Sequence, residues 1–453
     1  MIQTGRGSSF DLMDFSGKSL RKLVIPLVIE QTLAITMGMA DTVMVSSCGE
    51  AVVSGISLID QISVLLVGLF SALAAGGSIV CAQFLGHGDR KLVSRSSAQL
   101  FLAVGFISTV LMIFALVFNN GILNVLYRKL EPDVFANASV YFYILAISFP
   151  FLGIYNAGAA LFRAIGNSRI SMNVSLVANI INIIGNAILI YIFNMGAAGA
   201  ALSTLFSRII SCVLIVSMLS RSELAFRMSL RPDFFLLRKI LYIGVPTGIE
   251  NSIFQVGKLI VSTMTAGLGT VVITANAITG TIAGVQNIPS NSVGTSLVTV
   301  VGQCIGAGDE KAARENIKKL MKMAYLFTAV LAVLSFIFAR QICLLFHLTS
   351  ETTDLVVTVL RFNCIMTMLF HPTSFALANA IRAAGDVRYT MVVSISSMWI
   401  FRIGLAYILG LKLELGLLGI WSAMTIDWVV RSICYVGRML SGKWLAHKNA
   451  IVE

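Results

Sequence analysis

Apolar runs ended by charged or Gly/Asn-rich breaks recur along the whole chain. Each is about 20 residues or longer, the length a helix needs to cross the hydrocarbon of a bilayer. Twelve are legible, at approximately 23–47, 53–80, 97–118, 135–157, 171–193, 196–219, 240–266, 271–303, 320–339, 355–380, 389–411 and 415–437. The pattern predicts an all-α polytopic membrane protein with twelve transmembrane helices. Run 271–303 exceeds one straight span, and Pro289 inside it predicts a bend.

Polar positions inside these runs carry the next level of information. Leu23 to Ser47 contains Glu30 and Asp41, eleven residues apart, so Glu30, Ala34, Met37 and Asp41 share one helical stripe. A carboxylate in hydrocarbon costs at least about 2.5–3.5 kcal/mol and is a functional candidate by default. Asp41 reads as a site that alternates between a cation and a positively charged substrate. Glu30, about 16 Å nearer the helix start, reads equally as a gate or an interfacial residue. In the fifth run Asn179, Asn182 and Asn186 are spaced three and four, on one face, where they either ligate a cation or substrate or bond neighbouring helices. In the seventh, Asn251, Gln255 and Lys258 form a stripe with Glu250 at its edge, predicting a face turned to other helices or a cavity. Lys258 is expected either to be neutralised by Glu250 or Asp41 or to hold an anionic part of a substrate. His371 precedes Pro372 in an apolar run and could titrate near neutral pH, although a lone histidine is more often simply hydrogen-bonded. Arg402 and Asp427 predict a structural ion pair, whereas Arg208 and Arg431 have no evident partner.

The chain also repeats itself. Pro26 and Glu30 recur 220 residues on as Pro246 and Glu250, and the loop QFLGHGDRK recurs as QCIGAGDEK at the same offset. LFRAIGNSR answers AIRAAGDVR at an offset of 219. This predicts two pseudo-symmetric six-helix lobes, 23–219 and 240–437, joined by a basic linker, 220–239, and flanked by terminal segments 1–22 and 438–453. Six is even, so the lobes enter the membrane in the same direction as parallel repeats, a design suited to alternating access. Glycines in the two repeated loops are assigned to tight-turn geometry. Asp41 has no counterpart, because position 261 is valine.

Composition agrees. Of 453 residues 57% are hydrophobic and only 12% charged, and the mean hydropathy is +0.88. The formal charge of +12 sits in alternate loops, such as Arg90, Lys91, Arg95, Arg163, Arg169, Arg221, Arg227 and Arg231. The opposite loops hold only Arg128, Lys129, Arg340 and Lys412. Positive residues concentrate on the cytoplasmic side, which predicts both termini inside the cell, a plasma-membrane location and no nucleic-acid partner. Seven cysteines and four histidines form no metal-ligand spacing, and no clustered Ser/His/Asp set suggests an enzyme.

Pro26 followed by Asp41 within MGMADTVMV, the two glycine loops and the paired LFRAIGNSR and AIRAAGDVR segments together resemble the multidrug and toxic compound extrusion (MATE) family over essentially all twelve spans. The resemblance implies two six-helix lobes forming a V, and export of organic cations against inward sodium or protons. By position, Asp41 matches the family's first-helix acid, and Asn182 and Thr204 match members of a cation site, implying an ion-coupling set of Asp41, Asn182, Asn186 and Thr204. Sodium would sit at Asp41, Asn182 and Thr204. Asn186 stands where those relatives have an aspartate. A second branch has acids where this chain reads Phe254, Gln255 and His371. The expected substrate cavity comprises Glu30, Met37, Asn179, Glu250, Asn251, Gln255, Lys258 and His371. The expected function is a monomeric antiporter for amphipathic, cationic small molecules, coupled to H+ or Na+ and needing no cofactor. The alternative is a flippase for a lipid-linked oligosaccharide or other lipid precursor.

Overall fold

The computed structural model describes residues 15–127, 131–222, 231–346 and 348–448, and among them there is no β-strand. Arg128 and Lys129, Arg227 of the predicted linker and the outer parts of both predicted terminal segments lie outside the described residues. The first half comprises α1 (Gly17–Ser46), α2 (Glu50–His87), α3 (Arg90–Val117), α4 (Asn119–Leu126), α5 (Pro132–Ile147), α6 (Phe149–Ala164), α7 (Ser168–Asn186) and α8 (Gly196–Ser220). The second comprises α9 (Phe234–Ala266), α10 (Thr270–Gly306), α11 (Glu310–Ile337), α12 (Ala339–Leu344), α13 (Ser350–His371), α14 (Leu377–Ala383), α15 (Val387–Ser397) and α16 (Gly416–Leu440). π-helical turns extend α7, link α13 to α14 and continue α15.

Ten helical stretches are long and apolar enough to span a bilayer, and α5 with α6 makes an eleventh. The predicted single run 135–157 is in fact this pair, bent by 49° where Pro150 interrupts the chain. The twelfth, α9, has the length, but Glu250, Asn251, Gln255 and Lys258 dilute its apolar character. It begins inside the predicted linker. α10 runs unbroken through Pro289.

The repeat extends to backbone detail. Asp89 accepts from the Leu92 amide at 2.9 Å and Asp309 from the Ala312 amide at 2.8 Å, capping α3 and α11 alike. Asn194 and Glu414, 220 residues apart, both adopt positive φ, at 51° and 55°.

Apolar cores show how the halves meet. At the end carrying the loops after α2 and α10, the cores are shared between lobes. Leu20, Leu23 and Val24 of α1 pack with Val300, Leu297 and Trp444 of the second half, while Ile240 and Ile243 of α9 pack with Phe84 and Leu161 of the first. At the opposite end the cores separate: one runs from Val45 to Ala201 and another from Ala275 to Trp421, each within its own half. The result is a two-lobed V, joined at one end and split at the other.

The joint is made backbone to backbone. A Cβ on Gly86 would overlap the carbonyl oxygen of Gln303, and one on Gly306 that of Gln83. Gln83 Nε2 donates to the Ala383 carbonyl at 2.7 Å, and Gln303 Nε2 to that of Ala164, also at 2.7 Å. The turn geometry assigned to both glycines of each loop therefore belongs only to Gly88 and Gly308, whose φ is 84° and 75°. Gly86 and Gly306 allow the lobes to touch.

Candidate functional site

Two cavities occupy the split half of the V, one in each lobe. The first, of about 620 Å³, is lined by Met37, Asp41, Asp60, Asn186, Thr204 and Arg208 among others. The 3.6-residue period turns Asp41 and Met37 of α1 to this side. Asn186 Nδ2 donates to Asp41 Oδ1 at 2.7 Å and lies 3.3 Å from Asn182 Oδ1, and Asn182 Nδ2 donates to Thr204 Oγ1 at 3.2 Å. A hydrogen-bonded row thus runs Asp41, Asn186, Asn182, Thr204, linking α1, α7 and α8. Asn186 Oδ1 is buried without a partner.

Asp60 on α2 is an intramembrane acid missing from the predicted site. Tyr141 donates to its Oδ1 at 3.5 Å, and Arg208 lines the same cavity while donating to Ser148 Oγ at 2.6 Å. Asp60 stands inside the apolar run 53–80, so the rule that singled out Asp41 applies to it equally. Arg208, left without an evident partner by the sequence, bonds Ser148 and shares the cavity lining with Asp60.

Glu30 and Glu250 line neither cavity. Arg163 Nη1 donates to Glu30 Oε1 at 3.2 Å and Ser171 Oγ to Oε2 at 2.8 Å. The repeat supplies the same ion pair, Arg382 Nη2 donating to Glu250 Oε1 at 2.6 Å, while Thr390, the counterpart of Ser171, accepts from the arginine at 3.3 Å instead of donating to the acid. Placed in the substrate cavity by the sequence reading, both acids instead join the first helix of a lobe to its fourth span.

The predicted stripe of α9 is divided by the cleft. Asn251 Nδ2 donates to the Gly68 carbonyl at 3.4 Å. Gln255 faces the first lobe's cavity and Lys258 the second's. Lys258 meets neither Glu250 nor Asp41 as an ion-pair partner. Asn179 is buried, its Nδ2 unpartnered, and lines neither cavity.

The second cavity, of about 420 Å³, is lined by Phe254, Lys258, His371, Arg402, Trp421 and Trp428 among others. His371 stacks on Phe375 at 4.5 Å and meets Trp428 edge-on at 5.1 Å. Behind it, Asp427 takes Arg431 Nε at 2.8 Å and Ser397 Oγ at 2.5 Å, with Arg402 Nη1 at 3.8 Å. Arg431, left without an evident partner by the sequence, is therefore the closer partner of Asp427, one turn away on α16.

Both repeats of the chain match one family, MatE, over residues 26–188 and 246–408. The chain belongs to that family. It is 29% identical over 439 residues to the uncharacterized transporter YisQ of Bacillus subtilis, covering 94% of this chain and 95% of that one. It is 27% identical over 444 residues to the probable multidrug resistance protein NorM of Thermotoga maritima, covering 96% and 94%. In structure it superposes on a MATE family multidrug resistance transporter of the MOP superfamily in an outward-facing conformation. That match has a TM-score of 0.89 at 19% identity and covers 97% of this chain and 99% of the other. As a MatE family member the chain is a multi-pass membrane transporter, in a family of transporters and not of enzymes.

Proposed function

We propose that the chain is a secondary antiporter that exports amphipathic small molecules in exchange for H+ or Na+. The observation that carries this reading is the row from Asp41 through Asn186 and Asn182 to Thr204, of which Asp41, Asn186 and Thr204 line a cavity on the open side of the V. An intramembrane carboxylate lining a cavity offers one site to an ion or to a cationic group of a substrate, and the two compete for it. Competition becomes transport when ion and substrate favour different arrangements of the lobes. NorM of Thermotoga maritima is named as a probable multidrug resistance protein, which supports drug-like substrates for this chain.

The basic loops follow the positive-inside pattern, so we assign the joined end of the V and both termini to the cytoplasm of a cell-membrane protein. In this arrangement the cavities face outward. Both cavities come from one chain, and a monomer suffices.

The test is dye efflux from proteoliposomes under an imposed sodium gradient and then a proton gradient. One gradient is expected to drive efflux, and Asp41→Asn, inserted normally, is expected to lower that efflux about tenfold or more, within the usual range of coupling energies. Efflux equal to wild type in this variant would remove Asp41 from coupling.

A further inference from the structure

The cavity of the second lobe carries a charge opposite to that of the first. Lys258 and Arg402 line it and no Asp or Glu does. The neighbouring acid, Asp427, is fully buried and faces two arginines, Arg431 at 2.8 Å and Arg402 at 3.8 Å. One positive charge of that trio is left over. Lys258 adds a second and has no ion pair or hydrogen bond to another described residue. Its Nζ rests 5.1 Å from the centre of the Phe254 ring, with the Arg402 guanidinium 5.2 Å from the same centre. Two uncompensated cations at membrane depth are costly unless water or an anion meets them.

The walls say which anion. Arg402 is 9% exposed and its Nε has no partner; the buried indole Nε1 of Trp428 has none either. These are donors only, suited to an acceptor with several lone pairs. Around them stand Phe254, Phe375, Trp421 and Trp428, an apolar, aromatic lining with a few convergent polar groups, as small-molecule sites have. None of this belongs to the shared lobe design. At an offset of 220 Lys258 falls on Gly38, and at 219 Arg402 falls on Ile183 and His371 on Leu152.

We propose that this cavity binds the anionic group of the transported molecule, a carboxylate carried on an aromatic frame, through Lys258 and Arg402. Asp41 of the other cavity, where Arg208 stands with the second acid Asp60, is then left for positive charge, and amphoteric aromatic molecules become preferred substrates. The proposal rests on the reading of the chain as an exporter of amphipathic small molecules.

The test compares two probes on the purified full-length protein: a rhodamine bearing a free benzoate, and its methyl ester, which lacks the negative charge. Affinities are measured by fluorescence anisotropy for wild type, Lys258→Gln and Lys258→Arg. Because Lys258 lacks a structural partner, neither change threatens folding as removal of Arg402 would. The ratio of acid to ester affinity is expected to fall about tenfold in Lys258→Gln, the size of one lost charge-assisted hydrogen bond, and to be retained in Lys258→Arg. An unchanged ratio in Lys258→Gln overturns the proposal. So does Lys258-dependent binding of a soluble short-chain phosphatidate with no affinity for the rhodamine acid, which would assign the cavity to a lipid headgroup. Proteoliposome efflux separates the two readings. Gradient-driven efflux of the ester with an unchanged affinity ratio overturns only the anion site. Efflux of neither probe by wild type overturns the exporter reading, while the affinity ratio still decides the anion site.

Discussion

Glu30 with Arg163 and Glu250 with Arg382 are the same ion pair built twice, and each holds a lobe's first helix against its fourth span. The second pair is the drier, its side chains 8% and 14% exposed. Removing one member of such a pair leaves the other charged and poorly solvated, which typically costs about 3–5 kcal/mol. Arg382→Ala is therefore expected to destabilise the protein by about 3 kcal/mol, seen as a lower midpoint in detergent thermal unfolding. Arg340→Ala is expected to leave the midpoint in place, because its pair with Asp354 is well exposed, at 68% and 65%. At this scale the sequence was uneven in what it disclosed. The i, i+4 spacing of Asp427 and Arg431 lies in plain view, as does Asp60 within an apolar run. Partners 133 residues apart, such as Glu30 and Arg163, become legible only once helix neighbours are known.

Helix faces were legible where one neighbour fills the face, and misleading where a cleft runs along it. Asn182 and Asn186 of α7 share a face and meet one row of partners, as their spacing requires. Gln255 and Lys258 of α9 differ by about 60° around the helix axis, and the cleft passes between them, so each serves a different lobe. The contact of α2 with α10 was legible only as repeated glycines, since spacing alone does not tell a turn from a close approach. That contact has a measurable consequence. Gly306→Val places a branched side chain against the Gln83 carbonyl and is expected to part the joined end. Cys304, 2% exposed, should then react faster with a maleimide, scored by peptide mass spectrometry. Gly437→Val, where a new Cβ meets nothing within 4 Å, should not accelerate it. Equal reactivity of Cys304 in both variants would show that the glycine contact does not hold the end closed.

At the scale of the whole molecule, symmetry is graded along the V. The joined end repeats itself in caps, ion pairs and glutamine bonds, because both lobes must close on each other there. At the open end the turns still repeat, as Asn194 and Glu414 do, but the cavity side chains do not: Asp41 answers to Val261, Asp60 to Gly280 and Lys258 to Gly38. A parallel duplication thus supplies the hinge, and its divergence supplies two chambers of opposite sign. Opposite sign fixes how transport responds to membrane voltage. Under the proposed exchange, a zwitterion held by both chambers would leave the cell carrying no net charge, so antiport with one H+ or Na+ would move one positive charge inward per cycle. Each such charge is worth about 2.3 kcal/mol at 100 mV, about fiftyfold in the accumulation ratio. A monovalent cation exchanged for the same ion moves none. In proteoliposomes with a valinomycin-set potassium potential, negative on the side the ion enters, efflux of the rhodamine acid should accelerate while that of its ester should not.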